Sequence, residues 1–189
     1  AFAAILLTGL LEGKDALTLL LRRVFAWRIN PLLYIAAVFL PIVGTVLLVL
    51  LYALVRANPG SLNLIGPWFQ NLIRVSPVLL LSLALGWIIV TGEEIGWRGF
   101  LLPRLQARKS DLAASLIVGL VWGLWHLPDL WPLNDSLVPV TLPFFLADII
   151  LISVIYTWLF ANSRGSILLV SLFHVVYDLL VMYSSASLP

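Results

Sequence analysis

Seven ionisable side chains stand among apolar runs that hold almost no other charge: Glu93, Glu94, Arg98, His126, Asp148, His174 and Asp178. Both histidines of the protein are among them. Carboxylates, imidazoles and a guanidinium in such settings are the parts of acid/base catalysis, of an oxyanion-binding site or of a metal centre. Each costs at least ~2.5 kcal/mol in the middle of a bilayer, so each carries a functional hypothesis. The stretch TGEEIGWRGF, Thr91 to Phe100, sets two acids side by side directly after a long uncharged run. Helical spacing gives them different tasks. Glu94 and Arg98 are i,i+4 with the acid first, the favourable order for a pair. Glu93 points about 100° away, towards the face that carries Trp97. A buried carboxylate left without a cation is suited to serve as a general base near neutral pH. The plainer reading of the same residues is a Glu–Glu–Arg cluster that pins helices together.

The remaining candidates follow the same spacing. His126 lies four residues after Trp122, so ring and imidazole share a face; it reads as a packing histidine or as a catalytic one. His174 and Asp178 are again i,i+4, and a carboxylate there can orient the imidazole or form a polar clamp between helices. Asp148 enters from the opposite side on its own helix, and either lines the same cavity or makes a structural hydrogen bond. Two histidines and a glutamate, each with an orienting neighbour, define an acid/base or a metal site.

The elements that must position these residues are membrane helices. Apolar residues fill 62% of the 189 positions and charged ones 11%, with a mean hydropathy of +1.09. A soluble domain of this length needs more polar surface than that. The expected fold is all-α, a polytopic transmembrane helical bundle. Cysteine is absent, which excludes disulfides and thiolate ligation. The net charge of +2 is spread through the chain and forms no nucleic-acid patch. Pro31 to Val55, Val75 to Gly92, Leu112 to Pro128, residues 139–162 and residues 166–184 read as spans. Ala1 to Leu11 is too short to cross about 30 Å of hydrocarbon and reads as a truncated first helix. After it, Leu17, Leu20, Leu21, Val24 and Trp27 recur at helical spacing among Lys14, Arg22, Arg23 and Arg28. That pattern suits an amphipathic helix lying in the interface, with an exposed loop as the alternative. Residues 1–30 would then be the truncated helix plus the interfacial helix. Residues 31–189 would be the transmembrane part that carries the candidate site, the two forming one domain.

Basic residues within 12–30 and 98–109, with Arg164, alternate with connections holding Arg56 and Arg74, and Asp129 and Asp135. The positive-inside rule places the first three in the cytoplasm. If the helix of Glu93 continues through Leu102, Glu93 lies roughly 14 Å above its cytoplasmic end, at ~1.5 Å per residue. His126 lies roughly 21 Å, His174 roughly 13 Å and Asp178 roughly 19 Å above theirs. Three helices thus bring polar groups to a similar level. Gly119 and Gly123 form a small-xxx-small pair suited to close helix contacts inside the molecule; the oligomeric state is left open.

The motifs resemble a known family. EEIGWRGFLLPRLQ matches the EExxxR motif of the CAAX-processing and bacteriocin-processing (CPBP, or Abi) intramembrane proteases. GLVWGLWHLP is similar to their second motif, an aromatic residue four before a histidine, with Trp122 in the usual phenylalanine place. YTWLFANSRGSILLVSLFHVVYD resembles their third, a histidine four before an Asn or related residue. The likeness covers about Pro77 to Ser185. It implies peptide-bond hydrolysis without a covalent intermediate. Glu93 would activate water, His126 would position it and shuttle the proton, and His174 with residue 178 would stabilise the oxyanion. Glu94 and Arg98 would hold the helix and balance charge. Asp178 departs from the amide of eukaryotic members, because an ionised carboxylate accepts hydrogen bonds; it either carries a proton or acts through His174. A His₂Glu set of Glu93, His126 and His174, of the kind zinc hydrolases use, is the alternative. The expectation is no obligatory metal, with zinc or another divalent ion as the other case.

The implied partners are a peptide or membrane-protein substrate and the lipid bilayer, with no nucleic acid. The implied location is a multi-pass position in a bacterial cytoplasmic membrane, and the bacterial-looking composition argues against prenylated clients, since protein prenylation is chiefly eukaryotic. Two other classes compete with the peptidase: a non-proteolytic immunity or scaffold protein of the same fold, and a proton-coupled carrier. The carrier lacks the paired repeats with broken helices that transporters often display.

Overall fold

The computed structural model describes residues 1–55, 77–130 and 138–185. The connections bearing Arg56, Arg74 and Asp135 lie outside the described residues. All regular structure among the described residues is helical: α1 (Phe2–Val24), α2 (Pro31–Val55), α3 (Pro77–Glu94), a π-helix (Ile95–Leu101), α4 (Leu102–Gln106), α5 (Asp111–Trp125), a 3₁₀ turn (Leu127–Leu130), α6 (Val138–Asn162) and α7 (Ile167–Ser185). The all-α expectation holds.

Local chemistry sets the ends of these helices. Asn30 Oδ1 accepts from the Leu32 N–H at 3.0 Å, and Pro31 opens α2 where its missing N–H costs nothing. Ser110 caps α5 by accepting from the Ala113 N–H at 3.3 Å, with Asp111 favourably placed in the first turn. α6 stops where Gly165 takes a positive φ of 80° and returns its N–H to the Phe160 carbonyl at 2.8 Å. Ser163 then accepts from the Ser166 N–H at 3.2 Å, just before α7 begins. The Ser166 hydroxyl ties this turn to the Ala26 carbonyl at 2.7 Å. Burial beside it holds the Arg23 guanidinium below the usual arginine range.

One expectation changes. The helix of Glu93 does not run on as α-helix through Leu102: residues 95–101 widen into a π-helix. Pro103 has no N–H to return to the preceding turn, and Gly96 and Gly99 present no side chain against the wider turn. The last amide before the proline, that of Leu102, donates to the Trp97 carbonyl five residues back. The N-terminal segment, α1, consists of two helical stretches that meet at a break at Gly13, with φ 85° and ψ −175°. Beyond the break Leu20 and Val24 are buried, whereas Leu21 is exposed and Trp27 lies past the helix end. Glu12, just before the break, pairs with Arg104 of α4 at 2.5 Å.

The exterior of these helices is apolar, and several polar side chains are buried among the core residues. Ile35, Phe39, Val43 and Leu47 on α2, and Leu81, Leu85, Ile88 and Ile89 on α3, are exposed. So are Leu116, Leu120 and Leu124 on α5 and Phe144, Leu151 and Trp158 on α6. The buried set includes Glu94, Arg98, Ser115, Ser153, Thr157, Ser171 and His174. An apolar exterior around polar side chains is what a hydrocarbon solvent selects. Leu80–Gln106 and Leu142–Asn162 are long and apolar enough to cross a membrane, and Pro31–Leu47, Asp111–Trp125 and Ile167–Val181 are shorter apolar helices.

The chain divides into two compact units, Ala1–Ile29 with Gly92–Leu168, and Asn30–Thr91 with Leu169–Pro189. In the first, α5 packs on α6 through Gly119 and Gly123. A Cβ on Gly119 would lie 2.7 Å from the Ile150 Cα, and one on Gly123 would lie 2.9 Å from Leu146 Cδ2. The small-xxx-small pair therefore serves an internal contact. In the second unit α3 approaches α7 where Gly86 faces Val175.

Gly119→Ala should lower stability by about 1–3 kcal/mol, because the obstacle is backbone and the helices must part. Gly44→Ala, where a Cβ meets nothing within 4 Å, should be neutral or stabilising by up to about 1 kcal/mol. Thermal unfolding in detergent measures both.

Candidate active site

The first unit assembles most of the candidate residues around Arg98. This arginine is fully buried, and its Nη1 donates to Glu94 Oε1 at 2.9 Å, across the junction between α3 and the π-helix. Its Nη2 reaches Ser153 Oγ of α6 at 3.4 Å, and the Ser153 hydroxyl donates onward to the Ser115 carbonyl at 3.0 Å. The guanidinium carbon lies 4.0 Å from the centre of the Tyr156 ring and 4.8 Å from that of Trp122. A fixed carboxylate and two aromatic faces surround the charge. Glu94 is the arginine's partner, as its helical phase implied.

Glu93 is one residue earlier and differently placed. It is half-buried, and its Oε2 is shielded from solvent and makes no hydrogen bond. The two acids of the EE pair thus diverge: one is ion-paired, the other holds a buried acceptor open.

His126 is the C-cap of α5 rather than a residue within it, with φ −87° and ψ 1°. Its Nδ1 lies 2.9 Å from the Trp122 carbonyl. A carbonyl only accepts, so Nδ1 carries the proton in this contact, which leaves Nε2 as the nitrogen available to other partners. Trp122 also stands edge-to-face against the imidazole, with centroids 5.7 Å apart. A second aromatic wall comes from Trp125, 5.2 Å from the His126 ring and 6.2 Å from Trp97 of the π-helix. Rings therefore connect the helix of Glu93 to His126 by two routes, Trp97–Trp125 and Arg98–Trp122.

His174 and Asp178 lie on α7 in the second unit. His174 Nε2 is 3.6 Å from Asp178 Oδ1, an ion-pair distance rather than a hydrogen bond. The histidine is buried, whereas the Asp178 side chain is 51% exposed. Asp148 is exposed on α6. Among the described residues no three His, Asp or Glu side chains group as metal ligands would.

Sequence spacing located Glu93, Glu94, Arg98, Trp122 and His126. It missed Ser153, Tyr156 and Trp125, and named Trp97 only as the face towards which Glu93 points. Only the i,i+3 spacing of Trp122 and Trp125 hinted at two walls beside one histidine. Nothing in the chain marked a serine 55 positions away as a partner of Arg98.

An all-helical fold with an apolar exterior, enclosing a Glu–Arg pair and a histidine at a helix terminus, is of the CAAX-protease membrane type. The comparisons agree. The family model Rce1-like, type II CAAX prenyl endopeptidase, matches residues 74–180, more than half of the chain. The CAAX prenyl protease 2 of Methanococcus maripaludis is 31% identical over 166 residues, which cover 84% of this chain and 59% of that relative. The chain thus spans less than two thirds of the relative's length. No solved structure matches it. The chain belongs to the Rce1-like family of type II CAAX prenyl endopeptidases.

Arg98→Met should destabilise the protein by about 3–5 kcal/mol, because it strands the buried Glu94 carboxylate. Glu93→Gln should leave stability unchanged or slightly higher, since no partner is lost. Parallel unfolding curves in detergent check the contrast.

Proposed function

We propose that the protein is an intramembrane endopeptidase in which Glu93 activates water for attack on a peptide bond. The observation that carries this reading is the buried Glu93 Oε2 without a hydrogen-bond partner, beside a Glu94 already engaged by Arg98. A general base must reach a water proton, and a carboxylate locked in an ion pair cannot. Water bound at Glu93 would lose its proton to Oε2 as its oxygen attacks the carbonyl carbon. His126, with Nδ1 fixed on the Trp122 carbonyl, offers Nε2 to orient that water and to move the proton towards the departing amine. The Arg98 assembly keeps the helix of Glu93 in register. His174 is the donor proposed for the oxyanion, with Asp178 acting through it. Zinc or another divalent ion held by Glu93, His126 and His174 is the competing arrangement, and it would supply a more acidic water.

The relative's name brings a prenylated C-terminal peptide to this chain as the first substrate to try, against the expectation drawn from composition. The purified protein should cleave a quenched-fluorescent farnesylated CAAX peptide in liposomes. Glu93→Gln and His126→Ala should each lower kcat by about 10²–10⁴-fold while the protein stays folded. Activity that survives Glu93→Gln would show that another group is the base. Activity that is lost to a chelator and restored by zinc would favour the metal arrangement. A folded wild type that cuts nothing, with or without metal, would support the scaffold reading.

A further inference from the structure

Among the buried polar atoms near the EE pair that lack a hydrogen-bond partner are Arg98 Nε, Glu93 Oε2 and Trp97 Nε1, and the last two are of opposite kinds. Glu93 Oε2 is an acceptor; Trp97 Nε1–H is a donor. An unmade hydrogen bond at a buried group costs about 1–3 kcal/mol, so such atoms call for an explanation. The two residues are four apart. Glu94 and Arg98, the pair one position further on, meet at this spacing, whereas Glu93 Oε2 and Trp97 Nε1 do not bond each other and are left for a third group. The Trp97 ring is held at its edge by Trp125, which in turn touches His126. Donor and imidazole therefore stand on one chain of rings, with the acceptor four residues before the donor.

Indole N–H donates and never accepts, and it does not titrate. It can be neither base nor acid. Its use beside a water-activating carboxylate is to receive negative charge. We propose that Trp97 Nε1–H is an oxyanion donor, hydrogen-bonding the carbonyl oxygen of the scissile peptide; this rests on the reading of Glu93 as the base. Water oxygen bonds to the carbonyl carbon while its proton passes to Glu93 Oε2. The C=O π electrons move to oxygen, and the resulting oxyanion accepts from Trp97. On collapse the C–N bond breaks, the electron pair leaves with nitrogen, and the proton held by Glu93 goes to the departing amine. Amide and water become acid and amine, with no other reactant. A neutral donor suits this site, since it stabilises the oxyanion without forming an ion pair with Glu93.

The test is steady-state cleavage of the farnesylated CAAX peptide by the full chain in liposomes. Trp97→Phe keeps an aromatic ring at the position and removes the donor together with part of the indole. Its kcat should fall about 10²–10³-fold, as for loss of one oxyanion-hole donor, with KM nearly unchanged. Replacement of Trp97 by 3-benzothienylalanine, in which sulfur takes the place of N–H in a ring of the same shape, should give the same loss. That second variant stands if Trp97→Phe fails to fold. A wild-type kcat in either folded variant overturns the proposal, and so does a loss confined to KM, which would make Trp97 a binding wall. Glu93→Gln is measured alongside. If it is inactive while Trp97→Phe is fully active, the donor assignment alone fails; if it is active, the reading of the base fails first.

Discussion

A guanidinium buried in a molecule whose solvent is hydrocarbon is the constraint on which the rest of this structure depends. Its charge cannot be released, so the fold must supply everything water would have supplied. Arg98 receives a carboxylate from its own helix, a hydroxyl from α6, and two ring faces from α5 and α6. Four parts of the chain are thereby fixed relative to one charge. The glycines of α5 belong to the same requirement. Without the close approach at Gly119, Ser153 could not sit between the arginine and the Ser115 carbonyl.

The pairing of Arg98 with Glu94 is what leaves Glu93 free. Glu94 is consumed by the pair, which relieves Glu93 of any structural task. Trp122 serves two clients, lending its face to the guanidinium and its carbonyl to His126. That carbonyl selects which imidazole nitrogen bears the proton, so the tautomer of His126 is tied to the geometry of α5. The same cluster holds both the most heavily partnered group described and two of the least partnered. Stability and reactivity are separated by one residue of helical phase.

Most of the architecture was legible because membrane helices announce themselves. Uncharged runs bounded by proline, asparagine or serine gave α2, α5, α6 and α7 within a few residues, and the i,i+4 rule gave the Glu94–Arg98 pair. What spacing could not reach were contacts between helices. That Tyr156 and Ser153 face Arg98 depends on how α6 lies on α5, and neither periodicity nor composition encodes that angle. Asp148, for which spacing left a cavity position and a structural hydrogen bond both open, is exposed on α6. The π-helix was missed for a different reason. Pro103 announced an interruption, but a proline within a helix equally permits a kink or a stop. Which resolution the chain takes depends on the packing around Gly99, where Leu20 and Ile167 close in.

The wide turn between Ile95 and Leu101 has a mechanical consequence. A π-segment holds one residue more than the α-helix it interrupts, and losing that residue would rotate everything downstream by about 100°. Arg98 would then swing away from Glu94, and the guanidinium would face lipid. The ion pair therefore acts as a detent on a ratchet that could otherwise slip by one tooth. The same detent sets the heading of α4, whose Arg104 fastens α1 through Glu12. A disturbance at the N-terminal strap can thus be felt as torque on the helix that carries Glu93.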